Sequence, residues 1–306
     1  MTDPHTAPLR LGIDWGGTKM EIIALEADGS ERFRLRVPTP RDDYDGCIRA
    51  VVGLVEAAEA ATGRRGTIGL GIPGSLSPAT GLVKNANSTW MNGMPLDRDL
   101  EAALARPVRI ENDANCLAVS EATDGAGKGA HVVHAIIIGT GCGSGIAIDG
   151  RAHRGRNGIG GEWGNIPVPW MTDEEFPGPD CWTGKRGTID RWCSGTGFQW
   201  DHEQASGVKL TGHEIIERAR AGEAAAAATL DRYASRLARA MAMVANILDP
   251  DVFVLGGGMS NIEELYDLLP REIGRHVFSD QYDVPIRKAV HGDSSGVRGA
   301  AWLWNA

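Results

Sequence analysis

Leu11-Gly12-Ile13-Asp14-Trp15-Gly16-Gly17-Thr18 decides how the chain is read, because its outline occurs twice. Leu11 to Asp14 reads as a short apolar strand, Trp15 to Thr18 as a turn, and Met20 to Ala27 as a second strand closed by Asp28-Gly29. The outline returns at His134. Ala135 to Ile138 reads as a strand and Gly139-Thr140-Gly141-Cys142-Gly143-Ser144-Gly145 as a glycine loop. Ile146 to Ile148 continues as a strand, closed by Asp149-Gly150. Asp-Gly between extended runs is a strong hairpin signal. Two such copies predict a duplicated α/β domain.

The segments outside the repeat agree with that class. Cys47 to Ala61 has helical spacing and stops near Gly63; Thr67 to Ile72 is a short apolar strand. Pro95 to Ala105 reads as a helix, Val108 to Glu111 as a strand and Ala114 to Ala122 as a helix. Glu223 to Leu248 is a long Ala-rich helix ended by Asp249-Pro250. Val252 to Leu255 is a buried strand opening on Gly256-Gly257-Gly258. Ser260 is placed to cap a helix over Ile262 to Leu269, and Gly299 to Trp304 is a last helix. Strands alternating with helices make the class α/β. Pro167 to Trp192, rich in Pro, Trp, Gly and acid, reads as a functional loop or insertion.

At 306 residues the chain is long enough for two domains. Lys plus Arg number 31 against 40 for Asp plus Glu, a net charge of −9, so nucleic acid and anionic membrane are not expected partners. No stretch is apolar enough to span a bilayer and Met1 to Arg10 has no apolar core, so the cytoplasm is the expected compartment. Cys47, Cys116, Cys142, Cys181 and Cys193 are odd in number and scattered, which favours reduced thiols.

Chemistry concentrates at the glycine turns. Gly16-Gly17-Thr18 and Gly139-Thr140-Gly141 each offer backbone N–H groups that no side chain blocks, plus a hydroxyl, which suits a triphosphate. A single glycine pair is as well read as a tight turn; the matched pair after matched strands favours phosphate. Neither the G-x-x-x-x-G-K-[ST] pattern nor a strand-coupled G-x-G-x-x-G is present. Asp14, at a strand's carboxyl end, is placed to hold Mg²⁺ through water. Gly256-Gly257-Gly258 is either a close approach to the adenosine of a nucleotide or an ordinary helix start. Asp113, in Glu111-Asn112-Asp113-Ala114-Asn115, is either a helix cap or the carboxylate that accepts a hydroxyl proton during phosphoryl transfer. Lys84-Asn85-Ala86-Asn87-Ser88-Thr89-Trp90 is either a polar loop or a sugar-binding one, with amides for hydroxyls and an indole for a ring face. Glu162, in Gly160-Gly161-Glu162-Trp163-Gly164-Asn165, is a further candidate hydroxyl acceptor.

Together these segments resemble the ROK family of the actin/hexokinase-like (ribonuclease H-like) ATPase superfamily. Leu11 to Lys19 is similar to its first phosphate motif, Gly71-Ile72-Pro73-Gly74 to the segment leading to the sugar, and Asn112-Asp113 to its catalytic-base motif. Gly139 to Gly141 is similar to the second phosphate loop and Gly256 to Gly258 to the adenosine motif. Thr39 to Tyr44, Lys84 to Trp90 and His291 to Gly296 look like the manno(fructo)kinase branch. The resemblance implies a two-domain ATPase fold with a cleft between the domains. Residues 1–120 form the first, 121–290 the second with a loop insertion at 167–193, and a C-terminal helix over 291–306 returns to the first. It implies a homodimer and an ATP- and Mg²⁺-dependent kinase acting on the 6-hydroxyl of a hexose, with D-fructose favoured. Gly74, Asn87, Asn112, Asp113, Glu162, Asn165 and Asp190 would bind sugar, with Asp113 as the base. Asp14, Gly16, Gly17, Thr18, Lys19 and the other two glycine turns would bind nucleotide.

One region departs from the family, which carries a zinc site made of one His and three Cys. Here those positions hold Asn165, Cys181, Thr183 and Thr188. No zinc is expected, since structural zinc takes four thiolate or imidazole ligands. Trp170, Trp182 and Trp192 are then the expected packing of the loop. The altered residues flank the sugar, so glucose, mannose, an N-acetylhexosamine or a cyclitol stand as alternative acceptors. A ROK repressor is disfavoured because the phosphate motif starts at Leu11, before any helix-turn-helix. An idle sugar sensor is disfavoured because Asp14, Asp113 and both phosphate loops are retained.

Overall fold

The structure, a computed structural model, describes residues 9–292 and 295–304. Of the segments singled out above, Met1 to Pro8, Asp293-Ser294 and the last two residues lie outside the described residues. In chain order the elements are β1 (Leu9–Trp15), β2 (Lys19–Leu25), β3 (Glu31–Pro38), α1 (Tyr44–Thr62), β4 (Gly66–Ile72), β5 (Ser75–Leu76), β6 (Val83–Lys84), α2 (Leu96–Leu104), β7 (Val108–Asn112) and α3 (Asp113–Thr123). They continue as β8 (Val132–Ile138), β9 (Cys142–Ile148), β10 (Arg151–Ala152), α4 (Ile189–Cys193), α5 (Gly195–Ser206), α6 (Gly212–Arg220) and α7 (Ala224–Leu248). The last are β11 (Val252–Gly256), α8 (Glu264–Ile273), β12 (Ile286–Lys288) and α9 (Ser295–Trp302).

The chain divides into two compact units. The first holds the chain up to Gly129, Gly145–Gly160 and the chain from Val290; the second holds Ala130–Ser144 and Gly161–Ala289. A cut near residue 120 would sever α3, which packs along α9: a Cβ on Gly299 would lie 1.7 Å from the Cys116 carbonyl. That contact carries the first unit on past α3.

The first unit is built on a sheet of order β3-β2-β1-β4-β7. β2 is antiparallel to β1 and β3, and β4 and β7 run parallel to β1 and β4 respectively. Leu11, Ile13, Ile22, Ile68 and Leu70 are fully buried in a core shared with Val51, Leu54 and Val55 of α1. Asp43 caps α1 by accepting from Gly46 N, and Gly63 closes it in the left-handed conformation. α9 lies directly on the sheet's other side. A Cβ on Gly69 would sit 1.8 Å from the Ala300 carbonyl, so only glycine admits the helix there.

In the second unit β8, β11 and β12 lie side by side, with β11 parallel to both neighbours. Ile136, Phe198, Tyr233, Leu237, Phe253 and Leu265 form the core between sheet and helices. No helix among the described residues is long and apolar enough to cross a membrane. The cysteines are buried and carry free thiols.

Some local expectations are corrected. The glycine loop ends at Gly141, and Cys142 to Gly145 already belong to β9. Ser260 does not cap a helix; it lies in a 3-10 turn, its hydroxyl donating to the Gly257 carbonyl, and α8 starts only at Glu264. α9 starts four residues before the expected Gly299. β3, α5, α6 and β12 have no counterpart among the expected elements. α6 has a signal in its Thr211/Glu214 capping box, in which each side chain bonds the other's backbone N–H.

Candidate active site

In the first unit Asp14 stands opposite Glu21 of β2, and Glu21 stands opposite Arg36 of β3, so three strands carry one row of charge. Glu21 is buried and accepts from Arg36 Nη2 and Arg34 Nη1, each at 2.7 Å. Burial first, then the Asp113 and Glu21 carboxylates, push the Asp14 carboxyl up to about 7, against the pull of Lys19 and Arg36. The Asp14 carboxylate is an oxygen donor of the kind Mg²⁺ takes, but among the described residues no three His, Cys, Asp or Glu side chains gather around it to hold a metal. α9 begins beside it: a Cβ on Gly296 would lie 3.9 Å from Asp14 Oδ1.

The turn after Asp14 is tight. Gly16 N donates to Lys19 O at 3.0 Å, and a Cβ on Gly16 would meet that carbonyl at 2.8 Å. Thr39 pins it from the end of β3, its hydroxyl donating to Gly16 O at 2.7 Å and its N–H to Thr18 O at 3.1 Å. Gly17, Thr18 and Lys19 remain exposed. No local signal marks Thr39 for this bond, because its partner is remote along the chain.

The β7–α3 junction holds both Asn112 and Asp113 at the start of α3. Asn112 is the cap: its Oδ1 accepts from Ala114 N at 2.9 Å and Asn115 N at 3.3 Å. Asn112 Nδ2 donates to Gly74 O at 3.2 Å, which ties the Gly74 segment to the same point. Asp113 is the first helical residue, with Oδ1 accepting from Ala114 N at 2.8 Å. Behind it, buried Glu111 accepts from Asn112 N and Asn115 Nδ2 and is paired with Arg154. Asn87 N donates to Pro73 O at 3.2 Å, and the exposed Asn87 side chain lies next to buried Ser88, whose hydroxyl is 3.5 Å from where a Gly17 Cβ would sit. Trp90 is half-buried and packs against the core of the first unit.

In the second unit Gly139 N donates to Gly141 O at 2.9 Å, closing the loop. Gly195 N, at the start of α5, donates to Gly139 O at 2.8 Å, and Thr196 Oγ1 to Thr140 O at 2.8 Å. Asp190 Oδ1 accepts from Cys142 N at 2.8 Å, so this carboxylate, expected at the sugar, also holds the loop. Glu162 and Asn165 flank one 3-10 turn, with Asn165 Nδ2 3.5 Å from Glu162 Oε2. Gly256 ends β11, and Gly257, at φ 79°, lets the chain pass Ile138: a Cβ there would lie 2.5 Å from its carbonyl. Gly258 opens the following turn with nothing within 4 Å of its Cβ position.

The four family zinc positions offer an amide, a thiol and two hydroxyls. Thr183 Oγ1 donates to Cys181 Sγ at 3.4 Å, Thr188 is fully buried, and Lys185 Nζ donates to Asn165 O at 3.1 Å. Among the described residues no three His, Cys, Asp or Glu side chains converge to hold a metal. This donor set does not fit zinc. Of the three tryptophans expected to pack the loop, Trp192 is buried and Trp170 stacks on His276 at 5.2 Å, but Trp182 is 78% exposed and packs nothing.

The ROK family model matches residues 10–306. An N-acetyl-D-glucosamine kinase from Pectobacterium atrosepticum is 40% identical over 296 residues, covering 95% of this chain and 97% of its own. Among solved structures, a ROK hexokinase from Thermus thermophilus superposes with a TM-score of 0.85 at 30% identity, covering 96% of this chain and 97% of the other. A ROK family glucokinase from Streptomyces griseus, in complex with glucose and AMPPNP, gives 0.76 at 29% identity, covering 96% and 98%. The phosphate turns, the Asn112-Asp113 junction and these likenesses agree, and the chain belongs to the ROK family, among its sugar kinases.

Proposed function

We propose that the chain transfers the γ-phosphoryl group of ATP to the 6-hydroxyl of a hexose. The observation that carries this reading is the β7–α3 junction. Asn112 is the cap, and Asp113, the first helical residue, stands within electrostatic reach of Asp14. Asp113 accepts the proton of the 6-hydroxyl as its oxygen bonds the γ-phosphorus and the bond from that phosphorus to the departing ADP breaks. Asp14 would hold Mg²⁺, which would supply charge neutralisation for the phosphates. Gly16 to Lys19 and Gly139 to Gly141 hold phosphate through backbone N–H groups, and Gly256 to Gly258 leave room for the adenosine. Gly74, Asn87, Asn112, Glu162, Asn165 and Asp190 orient the sugar.

Two acceptors have specific support. D-fructose is favoured by the likeness of Thr39 to Tyr44, Lys84 to Trp90 and His291 to Gly296 to the manno(fructo)kinase branch, since these segments include the Asn87 loop. N-acetyl-D-glucosamine is favoured by the relatives, which include a second kinase of that name, from Haemophilus influenzae, at 36% identity over 298 residues. The test is ADP release with ATP and Mg²⁺ across D-fructose, D-mannose, D-glucose, N-acetyl-D-glucosamine and a cyclitol, with the phosphorylated carbon assigned by NMR. The highest kcat/KM names the acceptor. Turnover of none of them, or phosphate at another carbon, overturns the proposal.

A further inference from the structure

The loop over 167–193 lacks the donors for a metal, yet it is not held loosely. Its ends pair: Val168 N donates to Gly187 O and Ile189 N to Ile166 O. Between them Glu175 is almost fully buried and carries the main tie. Its carboxylate accepts from Arg236 Nε at 2.8 Å, from Arg239 Nη2 at 2.7 and 2.8 Å, and from Thr172 N at 3.1 Å. Both arginines project from α7 and are themselves buried. Arg239 Nη1 also donates to the carbonyls of Pro169 and Trp170, at 3.2 and 2.6 Å. Arg236 bonds Asp201 of α5 at 2.8 Å, and its guanidinium lies 4.0 Å from the ring centre of Trp192, two residues past Asp190.

An isolated buried charge is costly, but a carboxylate that meets two guanidiniums and a backbone N–H has its acceptor capacity filled. The forked geometry of arginine also fixes direction as well as distance. The network therefore anchors the loop at residues 169, 170 and 175 to one rigid helix. At the far end of the same loop, Asp190 holds Cys142 N beside the second phosphate turn, and Lys185 holds the carbonyl of Asn165.

We infer that Glu175, gripped by Arg236 and Arg239, is the positioning residue of this loop, doing by ion pairing what a bound metal would otherwise do: it sets Asp190 against the phosphate turn and Asn165 beside the sugar. The inference rests on the kinase reading, so the experiment separates the two.

Wild-type enzyme is dialysed against a strong chelator, returned to Mg²⁺, and compared with untreated enzyme for metal content, Tm and kinetics. Glu175→Gln, Glu175→Asp and Arg239→Lys are assayed at temperatures well below their own Tm, with ATP and sugar varied separately. The chelated wild type should keep its Tm and its activity. Glu175→Gln should raise the KM for ATP and for sugar about tenfold with a smaller change in kcat, and Glu175→Asp should recover most of that loss. If Glu175→Gln cannot be obtained folded, Arg239→Lys, which keeps the charge and loses the fork, should show a KM increase of several-fold. A Tm lost on chelation and restored by zinc overturns the inference, whatever the kinase activity. So does a Glu175→Gln or Arg239→Lys enzyme whose Tm falls while both KM values stay within twofold. An inactive wild type overturns the kinase reading, and the Tm comparison still judges the loop.

Discussion

Thr39→Val isolates one hydrogen bond behind the first phosphate turn. Valine keeps the volume of threonine at a site 7% exposed, so the core is undisturbed. What is lost is the hydroxyl that donates to Gly16 O at 2.7 Å, while the backbone bond to Thr18 O stays. A neutral hydrogen bond contributes about 1 kcal/mol net, and leaving a buried acceptor unpaired raises the cost to about 1–3 kcal/mol. The turn must adopt the same geometry to bind phosphate, so the cost falls on the nucleotide complex. At 1.4 kcal/mol per tenfold, kcat/KM for ATP should fall between about 5- and 150-fold. The assay is coupled ADP release with ATP varied at saturating sugar, with the sugar KM measured alongside. The sugar KM should change little, and Thr39→Ser should sit near wild type. A Thr39→Val enzyme within twofold of wild type for ATP would refute the claim that this bond sets the turn.

Other expectations follow from single contacts. Gly69→Ala places a methyl 1.8 Å from the Ala300 carbonyl and should lift α9 from the sheet, costing about 3 kcal/mol or more in urea unfolding. Gly141→Ala sets a methyl 2.8 Å from Asp190 Oδ1, so it should raise the KM for ATP about tenfold with little change in Tm. His134 is buried between Trp163 and Phe253, its Nε2 2.9 Å from Ser144 Oγ, and burial lowers its pKa to about 3. The unfolded state therefore binds the proton first as pH drops, so stability is full above about 6.5 and declines from there toward 3. At pH 5 this costs wild type about 2 kcal/mol relative to pH 8, and His134→Gln should lack that increment in urea titrations at the two pH values.

How far the sequence speaks depends on whether a signal is local. β1, β4 and β11 are short apolar runs ended by glycine, and α7 is an Ala-rich helix stopped by Asp249-Pro250, so each is legible by itself. The doubled strand-turn-strand outline exposed both phosphate turns for the same reason. The roles of Asn112 and Asp113 were not separable, because both are capping residues and only the backbone decides which stands outside the helix. Thr39 acts on a residue 23 positions away and Glu175 on residues 61 and 64 positions away, so no spacing rule reveals either. β9 begins at once after Gly141 because the chain there already lies beside β8 in the sheet, a pairing that a run of glycines does not signal. Trp182 shows the opposite error. The indole of Trp182 was expected to pack the loop and is exposed instead, while that of Trp90 is half-buried against the core.

The most direct test of the account is Asp113→Asn, which keeps size and removes the charge that accepts the proton. A base contributes roughly 10²–10⁴-fold to the rate, so turnover should fall by that factor while sugar affinity, measured by calorimetry, stays within a few-fold of wild type. An Asp113→Asn enzyme that turns over near the wild-type rate would contradict the account at its centre.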